Sequence, residues 1–169
     1  MSDAEKSGIN SYLTFKIGDE TFAAHVSKIL NIIEMTRITK IPMVPHYMKG
    51  VINLRGTVIP LIDLKLKFGM PETEYNLNTC ILVLEFATEN KISYIGAIVD
   101  SVSEVIEITD TELQPAPGIG SKYKAGFIDA IYKTNHDEFI LILNIDLILS
   151  SDEIENIRES ASIADTKDS

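Results

Sequence analysis

The chain has 169 residues, 45% of them apolar, with 25 acidic and 15 basic side chains and a formal net charge of −10. Such a length and apolar content suit one globular domain, or two fused half-domains, with a packed core. The acidic balance argues against nucleic-acid binding, because the densest basic spot is only Lys65 and Lys67.

Direct membrane insertion is not expected, since Asp, Glu or Asn interrupts each long apolar run. The opening MSDAEKSGIN lacks the basic and apolar blocks of a signal peptide. Cys80 is the only cysteine and cannot form an internal disulfide, so a cytoplasmic protein is expected.

Met1 to Asn10 is small and polar and is expected to be disordered. Tyr12–Ile17 alternates as a strand, Gly18-Asp19-Glu20 turns, and Thr21–Ala24 returns. Val26–Glu34 has helical spacing at Val26, Ile29, Leu30 and Ile33. Ile29–Ile33 is also β-branched, so the segment reads as a short helical turn running into a strand, with helix or strand left open. Thr36–Pro42 is a connector, and Pro45–Lys49 reads as one helical turn with Pro45 near its first position.

Gly50–Gly69, GVINLRGTVIPLIDLKLKFG, organises the rest. It reads as strand, tight turn at Arg55-Gly56, strand, then a short helix. Apolar residues occupy both alternating sets after Gly56, so this hairpin is expected to be buried on both faces. Gly56 can take the positive φ of a tight turn, Asp63 is an N-cap for Leu64–Phe68, and Gly69 is the stop. Asn53 and Arg55 interrupt the apolar block two residues apart, which places them on one strand face. An unpaired guanidinium is costly to bury, so Arg55 is either a turn residue reaching water or a partner-binding charge.

Met70–Asn78 reads as a loop, Thr79–Phe86 as a central strand and Ile92–Val99 as the next, with Gly96 as a bulge or a point of close approach. Asp100–Ile108 is a further strand, and Thr109–Lys124, with Pro115, Pro117, Gly118 and Gly120, is a long loop. Ala125–Lys133 and Asp137–Ile145 form a last hairpin. Ser150 and Glu153 form a capping box that opens a C-terminal helix with an apolar stripe at Ile154, Ile157 and Ala161, fraying from Ala164. Many short strands and little helix imply an all-β barrel or sandwich.

Catalytic signals are weak. His25, His46 and His136 have no metal-ligand spacing, Cys80 sits in an apolar run as an inert thiol would, and Asp63 and Asp100 read as cap and turn residues. Gly118 and Gly120 lack the lysine of a phosphate loop. No metal or cofactor is expected, and a small enzyme or ligand-binding barrel using Cys80 or a histidine is the alternative to a binding protein.

The segments TKIPMVPHYMKGVINLRG, GVINLRGTVIPLIDL with KFG, LTFKIGDETFAAHVSKI and GAIVDSVSEVIEI together resemble the CheW family, the coupling proteins of bacterial chemotaxis. The resemblance covers about Ser11 to Glu153. It implies two SH3-like β-barrel subdomains packed together over about 11–150, with a short C-terminal helix and tail over 151–169. It also implies an adaptor without catalysis. The partners would be the cytoplasmic tips of chemoreceptors and the regulatory domain of the histidine kinase CheA. The receptor-binding residues it implies are Ile29, Asn31, Gly50, Asn53, Arg55 and Gly56. Family members often pair that arginine with a glutamate; Asn31 stands at the corresponding position here, with Glu34 three residues on. The kinase-binding residues it implies are Met35 and Ile38, either exposed as anchors or turned into the barrel.

Overall fold

The computed structural model describes residues 8–89, 91–116 and 126–167. The chain begins in one sheet, crosses to a second, and returns. Strands β1 (Ile9–Ile17) and β2 (Glu20–His25) open the first sheet; a 3₁₀ turn at Val26–Lys28 leads out of it. The second sheet takes β3 (Ile29–Glu34), β4 (Met48–Leu54), β5 (Thr57–Asp63), β6 (Cys80–Thr88) and β7 (Lys91–Val99) in the order β3-β6-β7-β5-β4. Asp100 alone separates β7 from β8 (Ser101–Thr109), which returns to the first sheet. With β9 (Leu113–Pro115), β10 (Ile128–Lys133) and β11 (Phe139–Leu143), that sheet runs β8-β1-β2-β11-β10-β9. The all-β fold of two barrel subdomains is therefore observed, and the two are interleaved along the chain.

Two helices complete the fold. Helix α1 (Leu64–Lys67) is capped by Asp63, whose Oδ1 accepts from the Lys65 and Leu66 N–H groups at 2.9 and 3.4 Å. Helix α2 (Ser151–Lys167) begins with the expected capping box: Ser150 Oγ accepts from Glu153 N–H, and Glu153 Oε1 accepts from Ser150 N–H. Its stripe of Ile154, Ile157 and Ala161 is buried.

Three apolar clusters hold the barrels. Tyr12, Ala23, Ile108, Ile140 and Ile142 belong to the first barrel, and Ile52, Ile59, Leu61, Ile81, Val83 and Ile98 to the second. The largest is shared, joining Phe15, Phe22 and Leu141 of the first sheet to Leu82, Leu84, Phe86 and Ile95 of the second and to the α2 stripe. Strand β5 shows the two-faced burial read from its sequence: Ile59 and Leu61 face the second barrel's core, Val58 and Ile62 the shared one. Gly96 is a point of close approach, since a Cβ there would sit 3.0 Å from both Ile81 and Leu61 side chains; its pairing is regular, with no bulge.

Some local expectations differ. β1 starts at Ile9, two residues inside the stretch read as disordered, because Asn10 pairs with Ile108; residues 1–7 lie outside the described ones. Pro45–Met48 is a β-turn, closed by Met48 N–H to Pro45 O at 3.0 Å, because β4 takes up its ladder at Met48. The long loop contains a 3₁₀ turn at Asp110–Glu112 and the strand β9, which pairs with β10; Pro117, Gly118 and Gly120 lie outside the described residues. The last helix continues to Lys167. Cys80 is half-buried, because it opens β6 rather than lying inside it.

Candidate functional site

The β4–β5 hairpin closes through Arg55 and Gly56 alone, between the facing pair Leu54 and Thr57. A two-residue hairpin loop matches the twist of its strands when both residues have positive φ. Both do: Arg55 lies at +52° and Gly56 at +88°. Arg55 is therefore a turn residue and does not share a strand face with Asn53. Asn53 instead locks the turn, its Oδ1 accepting from Gly56 N–H at 2.8 Å. For arginine the left-handed region is unfavourable, and Asn or Gly is the ordinary choice. The side chain is exposed, and among the described residues it has no ion pair or hydrogen bond. In particular, neither Asn31 nor Glu34 pairs with it.

The other residues singled out from the sequence lie around the same barrel. Gly50 is buried at φ +137°, and a Cβ there would collide with the Thr39 carbonyl. The missing side chain lets the connector lie against β4, where Thr39 and Val51 exchange both backbone hydrogen bonds at 2.9 Å. Ile29 is half-buried against the shared core and Asn31 half-buried on β3. Met35 and Ile38 are half-buried and pack on the second barrel's core together with Ile33 and Leu54. The connector and the Arg55 hairpin thus rest on one apolar cluster. Of the two positions left open for Met35 and Ile38, this is nearer the inward one.

Sequence reading missed the exposed apolar face of β3. Leu30 and Ile32 are 53% and 48% exposed, and Glu34 continues the row. The sequence carries no signal for it: ILNIIE puts apolar residues on both alternating sets, and only burial in the fold separates the outward Leu30 and Ile32 from the inward Ile29 and Ile33.

A polar clasp joins the barrels beside the hairpin. Lys65 Nζ lies 2.8 Å from Asp100 Oδ2 and 2.6 Å from Thr73 Oγ1, and Asp100 Oδ2 also accepts from Gly18 N–H at 2.7 Å. Tyr75 donates to the other oxygen of Asp63; burial first, then that carboxylate, holds its phenol well above the usual range. Tyr47 donates to Glu153 and is pushed up to about 12 by burial and by that carboxylate. Burial alone would raise Glu153, but Lys67, the Ser150 N–H and the Tyr47 hydroxyl together hold it below the usual range.

No catalytic constellation forms among the described residues. The Cys80 thiol donates to the Asn78 carbonyl, and the His25 ring is engaged by Ser27 and Asn10 as a cap. No group of three potential metal ligands exists among the described residues, and no helix is long and apolar enough to cross a membrane.

Comparison with known proteins agrees with this architecture. The family model of the CheW-like domain matches residues 11–153. The chain is 36% identical to the chemotaxis protein CheW of Helicobacter pylori over 141 residues, covering 83% of this chain and 82% of that one. It is 34% identical to the probable chemotaxis protein CheW of Rhizobium etli over 158 residues, covering 92% and 99%. The crystal structure of the scaffolding protein TtCheW from Thermoanaerobacter tengcongensis superposes with a TM-score of 0.73 at 30% identity, covering 85% of this chain and 94% of that one. By interleaved barrels, hairpin signature and these likenesses, the chain belongs to the CheW-like family.

Proposed function

We propose that this chain is a chemotaxis adaptor that couples chemoreceptors to the histidine kinase CheA by binding alone. The observation that carries the reading is Arg55: an exposed cation, without an ion pair among the described residues, held at a backbone conformation that disfavours it. Such strain, about 1–3 kcal/mol, persists where something other than folding selects the residue. A rigid hairpin tip fixes the guanidinium for a bidentate contact with a carboxylate on a receptor tip. Asn53 and Gly56 support that tip by shaping the turn, and Gly50 by seating the connector. The family resemblance adds Ile29 and Asn31, half-buried on β3, to the receptor-binding set.

The kinase is read as docking on the same barrel at the connector. There Met35 and Ile38 form a half-buried floor, and β3, which runs into the connector, exposes Leu30 and Ile32 on its outer side. Apolar contact lets a chain of charge −10 bind without relying on charge complementarity. The membership in a family of chemotaxis proteins supports a cytoplasmic site of action.

Arg55→Ala tests the reading. Receptor-fragment affinity should fall at least about tenfold, while stability changes by less than about 1 kcal/mol. Undiminished receptor binding by this variant contradicts the role.

A further inference from the structure

Strands β5 and β7 pair in parallel only at Leu61–Gly96, Ile62–Ala97 and Asp63–Ile98. Before those residues they part. Thr57–Pro60 keeps β4 on its other side, and β7 keeps β6 along its whole length, but no ladder joins Thr57–Pro60 to Lys91–Ile95. The cleft between them has a volume of about 300 Å³ and is lined by Val58, Pro60, Ile92, Ser93, Tyr94 and Arg158 of α2, among others.

Ser93 continues the inward row of Ile95, Ala97 and Val99 and is only 6% exposed. Among the described residues, its hydroxyl is the buried side-chain polar atom without a hydrogen-bond partner. Buried hydroxyls are nearly always bonded, and an orphan in a cleft wall points to a ligand that completes it. The two strand edges facing the cleft lack ladder partners there, and an extended peptide satisfies such edges with its own backbone. The volume is at the small end for a binding site, roughly 300–1,000 Å³, which limits the occupant to a short stretch.

Charge selects its composition. The chain has three arginines. Arg158 lines the cleft, and Arg55 stands two residues before Thr57, which also lines it. In a molecule of net charge −10 this is a local cationic spot that favours an acidic segment. Among the described residues, Arg158 has only an exposed contact with Glu155 at 3.5 Å, which a ligand carboxylate can displace at little cost. Exposed Ile92 and Tyr94 offer apolar contact to alternate side chains of that segment.

We propose that the cleft between β5 and β7 docks a short, extended, acidic segment of a protein partner as an added strand. Ser93 hydrogen-bonds its backbone and Arg158 pairs with its carboxylate. Arg55, given a receptor role above, only adds to the charge near the cleft; Ser93 and Arg158 belong to the cleft alone.

The test is an amide-shift titration of the ¹⁵N-labelled full chain with an acetylated peptide alternating valine and glutamate, and with its valine–lysine counterpart. The acidic peptide should move the amides of Val58, Ile59 and Ile92 to Tyr94. Arg158→Glu should weaken it at least about tenfold. Ser93→Ala should weaken it several-fold while leaving the melting temperature unchanged or raised, because an unpartnered hydroxyl is removed. Three results overturn the proposal: no shifts at the cleft, an equal response to the lysine peptide, or Ser93→Ala binding like the parent chain.

Discussion

At the scale of single residues, Arg55 and Gly56 share one turn but answer to different demands. A Cβ on Gly56 would meet nothing within 4 Å, so space is not what requires glycine there. Its φ of +88° is. Gly56→Val should therefore cost about 1–3 kcal/mol through backbone strain alone, read as a lower denaturation midpoint. An unchanged midpoint contradicts the turn geometry. Asn53→Ala removes the acceptor for the Gly56 N–H, and the loss should be smaller, about 0.5–1.5 kcal/mol, because that exposed N–H can turn to water. The positive φ of Gly56 was legible in the sequence, since glycine is the usual residue for it. That of Arg55 was not: arginine carries no such signal, and only the count of residues between Leu54 and Thr57 requires it.

At the scale of elements, β3 is an edge strand with its apolar alternate residues outward. Leu30→Asp and Ile32→Asp should leave the fold intact and raise the kinase dissociation constant at least about tenfold. Binding by the parent chain should change little between low and high salt, since screening acts on charge and not on apolar contact. A steep salt dependence would show an electrostatic interface elsewhere. The docking of α2 brings a pH dependence. Glu153 titrates below its ordinary value of 4.5 in the folded chain. Its stabilisation is therefore present above the unfolded value and lost as pH falls through the folded one. Thermal melts should show the parent chain losing its advantage over Glu153→Gln as pH falls below the ordinary glutamate value of 4.5. A constant difference between the two would show that the carboxylate is not charged-state-selective. The capping box, the Asp63 cap and the hairpins were readable because each is a local rule. Strand β9 was not, because Leu113–Pro115 is strand only through its ladder with β10.

At the scale of the whole molecule, the pairings that make two barrels are parallel and distant: Thr21 with Ile140, and Leu61 with Gly96. No local pattern announces such contacts, so the two-barrel reading came from family resemblance and not from periodicity. The barrels are joined by the shared core and by the Lys65–Asp100 clasp. Asp100→Ala leaves Lys65 buried with Thr73 as its hydroxyl partner and strips the Gly18 N–H of its acceptor. It should cost about 3 kcal/mol in chemical denaturation, and a loss under about 1 kcal/mol would show the clasp to be incidental. The adaptor reading itself is tested most directly by co-sedimentation of CheA with assembled receptor fragments, with and without this chain, using the parent and Arg55→Gly. Glycine relieves the strained φ, so this variant should melt at or above the parent temperature. The kinase should sediment with receptor only when the parent chain is present, and Arg55→Gly, though folded, should fail to carry it down. Kinase sedimenting equally without the chain, or equally with Arg55→Gly, would contradict the adaptor reading.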